Sequence, residues 1–204
     1  MRLVTKFLLS ALSPEQFPSA SAPEFAFLGR SNVGKSSLIN GLLCEKAAKV
    51  SASPGRTRSI NFFALSDSLS AREPRLLFAD LPGYGYAKIS RSISAEWPKF
   101  INPYLEERPN LVLCICLVDS NIPVQASDQQ LIASLKGMGR NFLAVGTKAD
   151  RLSGNERAKA VVRLKQGLGL TDMLLCSVKT GSGLKELWTQ ILSRACLLYT
   201  SRCV

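Results

Sequence analysis

Eight consecutive residues, GRSNVGKS at Gly29–Ser36, constrain this chain more than any other part of its sequence. They fit the pattern G-x-x-x-x-G-K-S/T, in which glycines let the backbone wrap around phosphates with its N–H groups pointing inward. The apolar segment Glu24–Leu28 before the loop predicts a strand, and Lys35–Leu43 after it predicts a helix whose N-terminus favours an anion. We therefore predict a phosphate-binding loop in which Lys35 contacts the outer phosphates and Ser36 binds magnesium.

A second motif, TKAD at Thr147–Asp150, follows a predicted strand and differs from the more usual N-K-x-D only in its first residue. A carboxylate at Asp150 accepts hydrogen bonds from the ring N–H and the exocyclic amine of guanine, whereas adenine offers no such pair of donors. The stem of Lys148 is expected to lie over the base. The alternative is a surface turn, which explains the motif poorly downstream of a phosphate-binding loop. The motif therefore predicts a guanine site.

Three shorter motifs complete the ordered set. The DLPG motif ends a predicted strand, and its Asp80 would hold magnesium through water while the N–H of its Gly83 would meet the terminal phosphate. Thr57, within Ser53–Arg58, is the candidate for a mobile magnesium ligand, although this segment also fits a simple Pro-Gly turn. Cys176–Val178 follows another predicted strand and would support the guanine oxygen.

Strand-like segments alternate with helix-like segments, which predicts an α/β fold with a mostly parallel sheet and helices on both faces. Asn61–Leu65 and Leu76–Asp80 have no helix between them, so they predict a hairpin that gives one antiparallel edge strand. The expected fold class is the P-loop three-layer sandwich with six strands. Residues 1–22 are expected to pack as an extension on a nucleotide-binding domain at 23–195. Residues 196–204, CLLYTSRCV, resemble the translation of a transposon end and are expected to be a non-native tail.

The remaining predicted strands and helices follow from the same alternation of apolar and amphipathic segments. The strands are Leu111–Asp119, Asn141–Thr147 and Met173–Cys176, and the helices are Ser94–Glu107, Ala126–Lys136, Gly154–Gln166 and Leu184–Ala195.

The net charge of +11 comes from 26 basic and 15 acidic residues. This surplus indicates a polyanionic partner, with RNA favoured over an anionic membrane surface; the alternative is a solvated basic surface. The longest apolar run, Leu111–Val118, is far shorter than the roughly 20 residues of a membrane span, and no convincing signal peptide is present. We therefore expect a cytoplasmic protein without a membrane span. The chain has no histidine, which excludes histidine acid–base catalysis and histidine metal ligation.

The exact residues of the motifs identify a family more specifically than the order of the motifs does. The segments GRSNVGKSSLIN, SPGRTRSINFF, DLPGYGYA, TKAD and TKFLLSA resemble the EngB family of bacterial ribosome-assembly GTPases, over about Thr5–Leu192. The resemblance implies hydrolysis of GTP to GDP and phosphate, with Mg²⁺ as cofactor. It also implies a role in maturation of the large ribosomal subunit, whose precursor and ribosomal RNA are the expected partners, and a link to normal cell division and septation. We expect a monomer and no DNA partner.

The motifs and the resemblance together define the expected site. The residues expected to act in catalysis are Lys35, Thr57 and Asn32, and the expected magnesium ligands are Ser36, Thr57 and Asp80. The residues expected to contact the nucleotide are Gly29, Arg30, Ser31, Asn32, Val33, Gly34, Lys35, Ser36, Ser37, Gly55, Arg56, Thr57, Arg58, Ser59, Asp80, Leu81, Pro82, Gly83, Thr147, Lys148, Ala149, Asp150, Cys176, Ser177 and Val178.

Two residues bear on the rate of hydrolysis. Ras-like proteins place a water-orienting glutamine directly after DxxG, where this chain has Tyr84. A phenol does not orient water as a carboxamide does, so intrinsic hydrolysis is expected to be slow, with the missing stabilisation supplied by a partner, a monovalent cation or a rearranged switch. Asn32 resembles the asparagine of potassium-dependent GTPases, whose carbonyl helps to hold the ion. The alternative, that Asn32 only satisfies backbone groups of the loop, stays open.

A competing function is a nucleotide-controlled scaffold that binds division proteins and hydrolyses little GTP. A metabolic P-loop kinase is disfavoured by the TKAD motif. Between Gly83 and Lys99, basic residues are interleaved with aromatic ones, which suits contact with RNA. Lys88 and Arg91 are the preferred contacts there, while Trp97 is expected to be packed.

Overall fold

The apolar segments form one seven-stranded sheet in the computed structural model, which describes residues 3–45, 47–48, 59–84 and 100–201, with side chains described as far as residue 196. The strands are β1 Val4–Ala11, β2 Glu24–Gly29, β3 Ile60–Ser66, β4 Leu76–Asp80, β5 Leu111–Asp119, β6 Phe142–Thr147 and β7 Leu174–Leu175. Across the sheet they follow the order β1-β3-β4-β2-β5-β6-β7. The predicted α/β class is confirmed.

The centre of the sheet consists of β4, β2 and β5, which are buried along almost their whole length. β2 pairs in parallel with β4 and with β5, and the parallel pairing continues from β5 to β6 and β7. Parallel strands covered on both faces appear in sequence as continuous apolar runs. Leu111–Val118 is such a run, and it lies in β5 as predicted. No helix in the described ranges is long and apolar enough to cross a membrane.

The strand β3 is antiparallel to both of its neighbours, β4 and β1. The predicted hairpin of β3 and β4 is confirmed, but the expectation of six strands with the antiparallel one at the edge is corrected. The N-terminal segment, expected only to pack outside the sheet, supplies β1 as a seventh strand beyond β3. β1 is half exposed, and its register shifts between Phe7 and Leu9. Its apolar pattern is therefore too irregular to predict a strand.

Five helices cover the two faces of the sheet in the described ranges. They are α1 Lys35–Leu43, α2 at residues 100–107, α3 Ala126–Gly137, α4 Gly154–Leu168 and α5 Leu184–Ser201. The apolar side chains of α1 and α5 enter one core cluster, and those of α2, α3 and α4 enter the cluster on the opposite face. The part of the predicted Ser94–Glu107 helix before residue 100 lies outside the described residues. The last helix continues past its predicted end at Ala195, and the non-native origin of the tail stays a prediction.

Side chains fix where α3 and α4 begin. Asp128 in the first turn of α3 accepts a hydrogen bond from the Gln125 N–H at 3.2 Å. In α4, the Glu156 carboxylate accepts from the Ser153 N–H at 2.7 Å, while the Ser153 hydroxyl accepts from the Glu156 N–H. Such reciprocal bonds satisfy N–H groups that have no partner inside the helix. Because α3 follows β5 and α4 follows β6 along the chain, their N-termini lie at the carboxyl edge of the parallel strands, where the motif residues lie.

Candidate nucleotide-binding site

The phosphate-binding loop leaves β2 at Gly29 and enters α1 through Gly34. Gly34 has φ 102° and Asn32 has φ 65°, so the loop turns twice through the left-handed region. A Cβ on Gly29 would lie 2.7 Å from Val33 Cγ1 and 3.1 Å from Leu117 Cβ. The glycine at each end of the loop is therefore required, one by close packing and the other by its backbone conformation.

Lys35, at the start of α1, forms an ion pair with Asp80, at the end of β4. Both side chains are largely buried, with 11% and 6% of their surfaces exposed. The predicted phosphate-binding lysine and the predicted magnesium ligand are thus direct neighbours. They bring one positive and one negative charge to the same part of the strand edge.

The residues after Asp80 pack against the phosphate-binding loop. A Cβ on Gly83 would lie 3.0 Å from the hydroxyl oxygen and 3.1 Å from the backbone nitrogen of Ser31. Tyr84 accepts a hydrogen bond from the Ser31 N–H at 3.2 Å and donates its own N–H to the Gly29 carbonyl at 3.4 Å. The parallel pairing of β2 and β4 therefore continues as an isolated bridge between Arg30 and Tyr84.

The TKAD motif contacts the phosphate-binding loop through its first two side chains. The Thr147 hydroxyl donates to the Val33 carbonyl at 2.6 Å. Lys148 has φ 58°, and its ammonium group donates to the Asn32 carbonyl and to the Asp119 carboxylate, both at 2.8 Å. Two motifs more than one hundred positions apart in the sequence are thereby joined at one edge of the sheet.

Asp150 lies in the short 3₁₀ turn Ala149–Arg151, next to the fourth motif. The Ser177 hydroxyl donates to Asp150 Oδ1 at 2.7 Å, and the Ala149 N–H donates to the Cys176 carbonyl at 3.2 Å. The hydrogen bond from Ser177 is the largest cause of a lowered pKa at Asp150. The carboxylate is therefore ionised at neutral pH and able to accept hydrogen bonds.

The structure brings most of the predicted motifs together at the carboxyl ends of the parallel strands. Val178 packs toward α1, because a Cβ on Gly41 would lie 3.0 Å from Val178 Cγ1. Ser59 lies just before β3, where its hydroxyl donates to Asn61 at 3.3 Å. The following predicted residues lie outside the described ranges: Gly55, Arg56, Thr57, Arg58, Lys88, Arg91 and Trp97.

Two acidic residues of the site were not predicted. Asp119 ends β5 and holds the Lys148 ammonium group. Burial acts to raise the pKa of Asp119, but hydrogen bonds from Lys148 and Asn121 lower it below its ordinary value. Asp128 on α3 accepts from Arg30, a residue of the phosphate-binding loop, at 3.1 Å. The sequence position of Asp119 could have identified it as a site residue, since a polar residue at the carboxyl end of a buried parallel strand faces the ligand crevice. Asp128 had no such signal beyond its place in a helical first turn.

Comparison with known proteins agrees with this geometry. The family model described as "50S ribosome-binding GTPase" matches residues 24–148. The chain is 65% identical over 191 residues to the "Probable GTP-binding protein EngB" of Acidobacterium capsulatum. The aligned residues make up 94% of this chain and 90% of that protein.

Solved structures share the fold. A crystal structure of a probable GTP-binding protein engB superimposes with a TM-score of 0.67 at 20% identity, covering 84% of this chain and 98% of that one. Era in complex with MgGDPNP and nucleotides 1506–1542 of 16S ribosomal RNA gives a TM-score of 0.66 at 26% identity, covering 85% of this chain and 57% of that one. The family model matches more than half of this chain, and the relative from Acidobacterium capsulatum covers nearly all of it. The chain therefore belongs to the EngB family of GTP-binding proteins.

Proposed function

We propose that this chain is a slow GTPase that acts in the cytoplasm as a nucleotide-switched assembly factor for the large ribosomal subunit, with a link to normal cell division and septation. GTP or GDP binds across the phosphate-binding loop and the TKAD motif. The observation that supports this most is the contact of Lys148 with Asn32, which joins the two motifs. The family description, a 50S ribosome-binding GTPase, supports the ribosomal role.

In the proposed site, the phosphates bind along Gly29–Ser36 and the Lys35 ammonium group faces the outer ones. Lys35 is already charge-paired with Asp80 in a largely buried position. A phosphate can replace Asp80 as the partner of Lys35, which leaves the carboxylate to face a metal ion. This donor set fits magnesium, with Ser36 and Thr57 as ligands and Asp80 acting through water. When bound there, magnesium would neutralise charge that develops on the phosphates.

Slow intrinsic hydrolysis is expected because the Tyr84 side chain is bonded to another part of the fold. The Tyr84 side chain is partly buried and donates its hydroxyl to Asp128 on α3 at 3.2 Å. Burial and the neighbouring Asp128 charge raise the pKa of Tyr84 well above its ordinary value, so the phenol stays protonated. A side chain engaged with α3 does not position an attacking water. The residue after DxxG therefore supplies less catalysis than a glutamine in that position.

Potassium dependence is expected if the Asn32 side chain helps to hold a cation. Hydrolysis in potassium should then exceed hydrolysis in sodium several-fold in the unmodified protein. Asn32→Gly should abolish that difference, and glycine is the matched replacement because it tolerates the φ of 65° at this position. The measurement is phosphate release at constant ionic strength. Equal rates in the two salts, with and without ribosomal particles, would remove Asn32 from the mechanism.

The RNA partner is supported by the charge on α4 and on the residues before it. Residues 151–165 contain five basic residues and one acidic residue, Glu156, whose carboxylate caps the helix. None of the ion pairs within the described ranges involves α4. Lys159 and Val162 lie exposed on its outer face. A face with a net positive charge of this kind attracts a phosphate backbone.

We expect co-sedimentation with large-subunit precursors in the presence of a non-hydrolysable GTP analogue and much less in GDP. Binding should weaken steeply with salt, because each phosphate contact adds about −0.7 to −0.9 to the slope of log K against log salt, the values for single-stranded nucleic acid and for duplex DNA. Lys159→Glu should reduce binding several-fold. Lys185→Glu makes the same charge change at an exposed position on α5, which covers the face of the sheet opposite to α4. It should have little effect on binding to the precursors. Salt-insensitive association with division proteins and no co-sedimentation would instead favour a nucleotide-controlled scaffold.

A further inference from the structure

A cluster of three side chains, with a buried carboxylate at its centre, joins the phosphate-binding loop, the end of the DLPG motif and α3. Asp128 Oδ1 accepts a hydrogen bond from Arg30 Nε at 3.1 Å and another from the Tyr84 hydroxyl at 3.2 Å. The second oxygen of Asp128 accepts from the Gln125 N–H at the start of α3. Asp128 is 2% exposed, so its charge depends on these partners rather than on water.

This cluster fixes the position of Gly83. Tyr84 is held through its hydroxyl by Asp128 and through its backbone by Gly29 and Ser31. Gly83 is the preceding residue, and it packs so closely on Ser31 that a Cβ would lie 3.0 to 3.2 Å from three Ser31 atoms. Because Gly83 is bonded directly to Tyr84, the contacts that hold Tyr84 also restrict movement of Gly83 away from the phosphate-binding loop.

The Gly83 N–H is the group expected to meet the terminal phosphate of GTP, which GDP lacks. A donor held in place before the ligand arrives costs less ordering on binding than a donor that must be ordered. Stabilising Gly83 therefore favours the triphosphate over the diphosphate and leaves contacts common to both nucleotides unchanged.

We propose that Arg30, Asp128 and Tyr84 form a positioning cluster that sets the preference of the site for GTP over GDP by holding Gly83 against the phosphate-binding loop. The proposal rests on the nucleotide-binding function proposed above. It assigns a role to Tyr84 other than orienting water. It also makes α3 part of the structure that distinguishes GTP from GDP. The three are positioning residues, since their effect passes through Gly83.

A second cluster of the same chemical type provides a matched control. Glu24, at the start of β2, accepts hydrogen bonds from the Tyr104 hydroxyl at 2.7 Å and from Arg108 at 2.7 and 3.0 Å. It is a tyrosine, carboxylate and arginine cluster like the first. All three of its residues are buried, whereas Arg30 and Tyr84 in the first cluster are partly exposed. Glu24 is at the opposite end of β2 from the phosphate-binding loop, so this cluster makes no contact with Gly83.

The test compares Tyr84→Phe with Tyr104→Phe. Each change removes one hydroxyl that donates to a buried carboxylate paired with arginine. The measurement is the dissociation constant for GDP divided by that for a non-hydrolysable GTP analogue, by calorimetry with magnesium. We expect Tyr84→Phe to lower this ratio roughly three- to tenfold, the effect of one net hydrogen bond, and Tyr104→Phe to leave it unchanged. Asp128→Asn, which keeps the side-chain volume, should also lower the ratio and replaces Tyr84→Phe if that variant does not fold.

A loss of folding stability alone would change both tyrosine variants in melting temperature but not in this ratio. An unchanged ratio in Tyr84→Phe and Asp128→Asn, or an equal fall in Tyr104→Phe, overturns the positioning role while the nucleotide site stands. If the unmodified protein binds neither nucleotide, the proposed function fails, and the positioning role fails with it.

Discussion

Replacing Asp150 with asparagine is expected to weaken GTP binding by about 10²- to 10⁴-fold and to strengthen binding of xanthosine triphosphate. The carboxylate would accept two hydrogen bonds from guanine, and a bond to a charged group contributes about 1.5–3 kcal/mol, with 1.4 kcal/mol for each factor of ten. Ser177 orients Asp150 and lowers its pKa. Asparagine is uncharged, so neither bond to guanine keeps its charge assistance, and its side-chain N–H faces the guanine amine, whereas xanthine has a carbonyl there.

The measurement is a titration of each variant with GTP and with xanthosine triphosphate. Asp172→Asn is the matched control, because Asp172 is an exposed aspartate whose carboxylate accepts only from the neighbouring Met173 N–H, at 2.8 Å, among the described residues. It should bind GTP like the unmodified protein. Unchanged GTP affinity in Asp150→Asn would refute the assignment of Asp150 to the guanine base.

Replacing Arg108 with methionine is expected to lower the free energy of unfolding by about 3–5 kcal/mol, because it leaves a buried carboxylate without its counter-charge. Glu24 is fully buried and Arg108 is 7% exposed. At about 2–4 °C for each kcal/mol in a domain of this size, the melting temperature should fall by roughly 6–20 °C. The arginine also lies over the rings of Phe17 and Phe62, at 5.9 and 5.7 Å, which adds to the loss.

Thermal and urea unfolding measure this effect, and Arg75→Met is the control. Arg75 pairs with Asp67 at 2.7 Å, but both side chains are more than half exposed, so its replacement should cost only about 0–1 kcal/mol. The double variant Glu24→Gln with Arg108→Met should recover part of the lost stability, because the uncompensated charge is gone. Equal losses of unfolding free energy in Arg108→Met and Arg75→Met would contradict the claim that burial makes the Glu24–Arg108 pair more important for stability than an exposed pair.

The sequence predicts the centre of this fold well because its strands are buried on both faces. β4 and β5 have the predicted bounds, as does α1, whose start is set by the phosphate-binding loop. β1 could not be predicted, since an edge strand is covered on fewer sides and its partner, Ile60–Ser66, lies far along the chain. Pairing between such distant segments depends on the assembled sheet, not on any local pattern.

The same distinction applies to the site. The phosphate-binding loop and the TKAD motif carry their chemistry in local residue spacing, so their positions follow from sequence. The partners that hold them do not. Asp119 meets Lys148 only because β5 lies beside β6, and Asp128 meets Arg30 only because α3 packs over the end of β2. The role of Thr57 stays a prediction, since that residue lies outside the described ranges.

The most direct test of the proposed site is a calorimetric titration of the unmodified protein with GDP and, separately, with ADP, in the presence of magnesium. Both nucleotides offer the same phosphates to the loop at Gly29–Ser36, and they differ only in the base that Asp150 would contact. We predict saturable binding of GDP at one site and no measurable binding of ADP at the same concentrations. Equal binding of the two, or binding of neither, would contradict a guanine-nucleotide site at this edge of the sheet.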